Sequence, residues 1–351
     1  MMKHRQSVLG VLWVVCTLGA GPALAHDPIL WDDFTSPSGF AADSSDARWF
    51  HLSSGPVVAN DGIETLLPEG GLRVVAKGVR SSTGEPAFTL TQDPDESDGI
   101  PGQADHIKWL VYMNHAASSG YPGFDAVAGQ ELTCETWISG RTYGTAMNPF
   151  WMAGIPQNDV RLATFAQTTT DFETGMAFDF LFTNNKVYAA YERTAFQRTP
   201  QHPYASFLYA VPVATRSSLD AQHRTQIAYN RQAGVVRWIL DGVEVFRVSK
   251  IGRRLTSRAN MLLEHGGVEE TVDMRQLDCG LGMFTLLDGD LNGMGGLVRL
   301  TNQPNFYYMP SMGMFGPQWF WDEASQPGSR VFGQGAELRV PRYQVTTTYV
   351  P

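Results

Sequence analysis

Short runs of alternating apolar and polar residues recur along this chain between clusters of Gly, Pro, Asn, Asp and Ser, a pattern that predicts half-buried β-strands. The runs are Leu72–Ala76, Ala87–Thr91, Ile107–Met113, Leu132–Ser139, Arg161–Ala166, Met176–Phe182, Lys186–Tyr191, Ser206–Val213, Thr225–Tyr229, Val235–Leu240, Val243–Val248 and Glu337–Tyr343. Few segments have the periodicity of an amphipathic helix. The 35 glycines and 20 prolines are spread along the chain, so they punctuate turns and do not form linkers. No fixed-period repeat is present. The expectation is an all-β sandwich forming a single domain over residues 26–351.

The clearest local signal is Thr225 to Gly234 followed by Val235 to Val248. Ala233-Gly234 and Asp241-Gly242 are hairpin turns, because glycine accepts the positive φ that such turns demand, and the result is a three-strand meander. This strand, Gly turn, strand with Trp238, Asp-Gly, strand pattern resembles the back sheet of concanavalin A-like jelly rolls. That superfamily includes laminin G modules, legume lectins and many glycan-active enzymes. Trp31-Asp32-Asp33-Phe34 resembles the first strand of the same families. The resemblance covers about half the chain and implies a jelly-roll β-sandwich with long loops. The whole sequence is also similar to a group of secreted microbial proteins with no assigned activity.

The N-terminus changes the picture of where this sandwich works. Lys3, His4 and Arg5 precede an apolar run from Val8 to Leu18 and a small-residue exit ending at Ala25, the layout of a secretory signal peptide. The apolar run is short of the roughly 20 residues a membrane span needs, so no membrane anchor is expected. Cleavage after Ala25 moves the formal charge from −9 to −11, since two basic and no acidic residues leave. An acidic surface argues against nucleic acid as a partner. The jelly-roll resemblance implies a polysaccharide or small-molecule ligand. Of three cysteines, Cys16 departs with the peptide. Cys134 and Cys279 remain either to pair in an oxidising compartment or to serve as two buried thiols. Oligomeric state is not legible.

Candidate chemistry begins on the strand holding Glu131, Thr133, Glu135 and Trp137, which share one face by period two. This run resembles the Glu-x-Asp-x-Glu strand of jelly-roll glycanases, whose outer carboxylates act as nucleophile and general acid/base. Thr133 stands where the middle Asp belongs. Arg141 and Tyr143 follow, and with Glu135 and Trp137 they would build a sugar-binding face; alternatively Arg141 is a structural partner of Glu135.

A second set comes from Met176–Phe182 and Lys186–Tyr191, joined by Asn184-Asn185. Asp179 lies opposite in face to Phe178 and Phe180, and an inward position among apolar groups would raise its pKa as a general acid requires. Tyr191, a catalytic candidate, and Glu192 face opposite sides, so at most one of them serves the same pocket as Tyr188, a candidate for substrate binding. His202, with Tyr204 in the loop Arg198–Tyr204, is the histidine best placed for acid/base work.

Asp288, Asp290 and Asn292 match the first half of a calcium loop without its closing Glu, and Asp93 to Asp98 form a second acidic run. Structural calcium is therefore open, and no cofactor is required. His26, if it becomes the mature terminus, offers half of a copper-chelating histidine brace. Aromatic residues crowd Asn305 to Trp321 and keep a small-molecule pocket in play.

The expected protein is a secreted carbohydrate-active jelly roll, a polysaccharide hydrolase or lyase. The alternatives are a noncatalytic lectin-like module and a cyclase or isomerase acting on an apolar metabolite.

Overall fold

The computed structural model describes residues 28–35, 40, 47–54, 57–89, 106–148, 156–264, 266–287, 308–309, 314–315 and 332–350. The signal peptide, His26, the Asp93 to Asp98 run, Asp288, Asp290, Asn292 and most of the aromatic C-terminal run lie outside the described residues.

Alternation along Gln130–Tyr143 builds the first of two antiparallel sheets, each of nine strands. Leu132, Cys134 and Ile138 point into the core, while Glu131, Glu135, Trp137, Arg141 and Tyr143 occupy the other face. On one side of this strand run His223–Asn230, Val235–Leu240 and Val243–Ser249, the meander expected from the sequence. Asp241 and Gly242, at φ 53° and 84°, make its second turn. On the other side Tyr343–Tyr349 pairs with residues 130–136 and Gly335–Val340 with residues 139–143. The segment read as one strand over Glu337–Tyr343 is thus two strands. Pro341 lies at the break, where the chain steps from one pairing to the next without an amide to donate. Leu72–Ala76, Gly62–Leu66 and Ile29–Asp32 complete the sheet.

The second sheet runs Met261–Glu264, Phe207–Thr215, Lys186–Arg193, Met176–Phe182, Thr164–Asp171, Gln276–Phe284, Ile107–Met113, Trp49–His51, with Phe124–Asp125 beside Gln276–Phe284. Its central strands are buried on both faces. Every residue of Thr164–Asp171 and Met176–Phe182 is removed from solvent. The run expected at Arg161–Ala166 therefore begins later and continues to Asp171, and of Ala87–Thr91 only Ala87 is in a described strand.

The two inner faces interdigitate in one aromatic-rich core that includes Trp109, Phe165, Phe178, Phe180, Tyr191, Tyr209 and Trp238. Cys134 of the first sheet and Cys279 of the second form a disulfide across this core, with Cα atoms 5.8 Å apart. Closing a loop over a sequence separation of 145 removes enough unfolded-chain entropy to contribute about 5 kcal/mol in the chain-entropy picture. The result is the jelly-roll sandwich expected from the meander. Among the described residues no helix is long and apolar enough to cross a membrane.

Candidate functional site

Because the second sheet is buried on its outer face as well, polar residues there lie under covering segments and not in open solvent. Phe178 and Phe180 point into the core, so alternation turns Asp179 to this outer face. On the neighbouring strand Tyr191 points into the core, which turns Glu192 outward. Ala177 pairs with Glu192 and Asp179 with Ala190, so Asp179 and Glu192 are diagonal neighbours on one face. Such neighbours have Cα atoms about 7–8 Å apart, within reach of each other's side chains.

Both carboxylates line a 320 Å³ pocket. Its remaining walls combine apolar residues (Leu52, Ile107, Leu110, Ala177, Phe172, Phe196, Phe284) with hydroxyls and amides from Ser53, Tyr112, Thr168, Thr170, Thr194 and Gln197. Gly280, directly opposite Thr168, keeps this part of the sheet clear. A Cβ there would run into the Val111 carbonyl, the Thr168 hydroxyl and the Tyr112 ring.

The electrostatics follow from burial. Asp179 is largely buried, and desolvation, reinforced by the charge of Glu192, holds its carboxyl well above the usual carboxylate range. Burial pushes Glu192 up to about 7. Neither accepts a salt bridge among the described residues. Asp179 is also fixed from behind, since the Trp238 indole of the opposite sheet donates to its backbone carbonyl at 2.9 Å. Tyr112, also on this face, shares a 2.6 Å hydrogen bond with the Thr170 hydroxyl.

The other residues singled out from the sequence go elsewhere. Glu135, Trp137, Arg141 and Tyr143 do share a face, but it is the outer face of the first sheet, across the core from Asp179. There the Arg224 guanidinium grips Glu135 at 2.8 and 3.1 Å, and Gln226 adds a third donor at 2.8 Å. The partner of Glu135 is therefore Arg224 from the adjacent strand, while Arg141 pairs with Asp220. Trp137 lies between the guanidinium groups of Arg342, at 4.0 Å, and Arg224, at 5.4 Å. Tyr143 donates to Glu337 at 2.9 Å, and Arg73 grips the same carboxylate. Although burial works the other way, these hydrogen bonds and charges bring Glu337 down to about 2.

Tyr191 belongs to the core, where its hydroxyl donates to the Arg253 carbonyl and accepts from the Gly252 amide. The residue in the pocket is its neighbour Glu192. Tyr188 shares the outer face but packs in a separate apolar cluster with Leu162 and Leu181, its hydroxyl donating to the Asn158 carbonyl. His202 and Tyr204 come together at a second depression of 280 Å³. His202 Nε2 meets Glu270 at 2.9 Å, and Arg193 donates to the same carboxylate at 2.6 Å. The Tyr204 ring lies 3.8 Å beneath the Arg193 guanidinium, and its hydroxyl donates to the Thr194 carbonyl while accepting the Gln197 amide. Burial raises the pKa of that hydroxyl.

Of Tyr191 and Glu192, between which the sequence left the choice open, Glu192 is the one at the pocket. Its signal was the alternation that places it on the Asp179 face once Tyr191 is assigned to the core. No group of three or more metal-ligating side chains occurs among the described residues.

Over residues 31–349 the chain matches a family whose description reads "Family of unknown function (DUF6081)". It is 26% identical over 245 residues to "Uncharacterized protein L829" of Acanthamoeba polyphaga mimivirus, covering 55% of this chain and 56% of that one. The chain thus spans little more than half the length of that relative. Among solved structures, an endo-1,3-beta-glucanase from Streptomyces sioyaensis is 13% identical, with a TM-score of 0.38, over 88% of this chain and 86% of the other. A Bacillus licheniformis beta-glucanase is 8% identical, with a TM-score of 0.37, over 90% and 100%. An alginate lyase of polysaccharide lyase family 7 is 7% identical, with a TM-score of 0.37, over 82% and 84%.

Proposed function

This chain belongs to the family of unknown function DUF6081, and on that premise we propose that it is an exported carbohydrate-active enzyme, a glycoside hydrolase working through Asp179 and Glu192. The observation that carries the reading is the pair itself: two carboxylates on adjacent strands, lining one pocket, with no cation beside them. The pocket volume lies in the usual range of small-ligand sites, about 300–1,000 Å³. The disulfide between Cys134 and Cys279 supports an oxidising compartment.

Glycoside hydrolysis needs one protonated and one ionised carboxyl group at the same bond. Asp179, the more deeply buried and the more strongly raised, keeps its proton and acts as the acid. Glu192, near 7, is substantially ionised at neutral pH and acts as the nucleophile. In this reading the Glu192 carboxylate bonds to the anomeric carbon while the glycosidic C–O bond breaks and the leaving oxygen takes the Asp179 proton. Water then attacks the anomeric carbon, Asp179 accepts its proton, and Glu192 leaves as carboxylate. One water is consumed per bond cleaved.

A second reading, a cyclase or isomerase acting on an apolar metabolite, draws on the Leu52, Ile107, Leu110 and Phe284 walls. A noncatalytic glycan-binding module would use the same pocket without turnover. Incubation with a panel of polysaccharides, scored for new reducing ends, separates the three. Cleavage that falls at least about 100-fold in Asp179→Asn and in Glu192→Gln is expected, the scale typical of lost acid/base catalysis. Binding without cleavage favours the module, and cleavage unaffected by both substitutions overturns the carboxylate mechanism.

A further inference from the structure

Charge at the pocket is one-sided. Asp179 and Glu192 line it, and no lysine or arginine does among the described residues. The other titratable lining groups are Tyr112 and His106. Asp278 adds a third carboxyl on the same sheet face, directly opposite Thr170, buried and itself raised well above its ordinary range by desolvation. The two nearby arginines are directed away. Arg193 follows Glu192 in the strand, so it emerges on the other side of the sheet and is held by Glu270. Arg198 donates to backbone carbonyls of Tyr204 and Gly266. Lys108 is buried and contributes no surface to the pocket.

We infer that the sugar unit accepted between Asp179 and Glu192 carries no negative charge, so that the substrate is a neutral or amino-sugar glycan and not a polyuronate. The inference rests on the glycan-hydrolase reading and narrows it. A uronate carboxylate would enter a partly desolvated site already holding like charge, where repulsion is poorly screened. It would also find no guanidinium or ammonium among the described lining residues to receive it. The same absence bears on reaction class. β-Elimination takes the proton from C5 of a uronate and expels the C4 oxygen, and it relies on neutralising the adjacent carboxylate to acidify that proton. Among the described lining residues there are two carboxylates and no lysine or arginine for that neutralisation. Hydrolysis of an uncharged unit needs only what Asp179 and Glu192 provide.

The test uses matched polymers: alginate and polygalacturonate, each compared with its carboxyl-reduced neutral form, with binding followed by calorimetry and cleavage by new reducing ends. Binding or cleavage of the reduced forms at least about tenfold better than of the polyuronates is expected, a ratio worth about 1.4 kcal/mol. Equal or better action on the polyuronates overturns the inference and leaves the glycan reading standing. Failure to bind or cleave any member of the set or of the neutral panel overturns both. Charge removal gives an independent arm. At pH 8 the double variant Asp179→Asn/Glu192→Gln is expected to bind uronate oligosaccharides about tenfold more tightly than the unsubstituted protein. Unchanged uronate affinity in that variant overturns the electrostatic account.

Discussion

The two sheets of this sandwich both carry glutamate or aspartate on their outer faces and treat them in opposite ways. On the first sheet Glu131, Glu135 and Glu337 are each gripped by a guanidinium, from Arg237, Arg224 and Arg73 respectively. On the second, Asp179 and Glu192 lie under covering residues with no such partner. The first arrangement spends its carboxylates on holding strands together, and arginine at once satisfies and silences them. The second leaves two groups whose proton affinity has been moved toward neutrality, the state acid/base chemistry requires. Residue type alone does not separate a structural carboxylate from an available one; the neighbouring strand does.

The sharpest way to break the comparison is by substitution across it. Asp179→Asn and Glu192→Gln are expected to abolish most turnover, while Glu135→Gln leaves turnover within about twofold, since it lies across the core from the pocket. A loss of activity in Glu135→Gln as large as that in Glu192→Gln would erase the distinction.

Next in size is the disulfide joining the two sheets. Replacing both Cys134 and Cys279 by alanine is expected to lower unfolding free energy by about 3–5 kcal/mol, measured by denaturant melts. A change below about 1 kcal/mol would mean the two sheets hold their register without the crosslink.

The pH dependence of stability should run in opposite directions on the two faces. Glu192 has its folded pKa raised, so the stability it contributes is present below its unfolded value of about 4.5 and is lost as pH rises through about 7. Glu337 has its folded pKa lowered, so its contribution is present above about 4.5 and is lost as pH falls toward about 2. Glu192→Gln is therefore expected to stabilise the protein at pH 8 by about 2–3 kcal/mol relative to its effect at pH 4. Glu337→Gln is expected to destabilise at pH 7 and to have little effect near pH 2.

The smallest expected effect is that of Glu135→Gln on stability. Arg224 is partly exposed, so screening reduces the loss to about 1 kcal/mol, read as a small shift in the melting midpoint.

Much of this arrangement could be read from alternation. The meander from Thr225 to Val248, the outward face of Glu131, Glu135 and Trp137, and the opposition of Asp179 to Phe178 and Phe180 all follow from period two. Gln276–Phe284 does alternate, with Leu277, Cys279, Leu281 and Met283 on the core face, but Gly280 and Gly282 lower its β-propensity and read as turn punctuation, so it was not among the expected strands. The choice between Tyr191 and Glu192 stayed open for another reason. In a strand buried on both sides, periodicity separates the faces without saying which one meets the core. The fate of Glu135 was also illegible, because Arg224 is far away in sequence and becomes its neighbour only through the pairing of His223–Asn230 with Gln130–Tyr143.

The most direct measurement is a carboxyl-carbon NMR titration of Glu192 and Glu337 in the same sample. The account expects Glu192 to titrate near 7 and Glu337 near 2. Midpoints for both in the ordinary range of about 4–5 would contradict it, because the two outer faces would then hold equivalent carboxylates and the pocket would have no claim to acid/base chemistry.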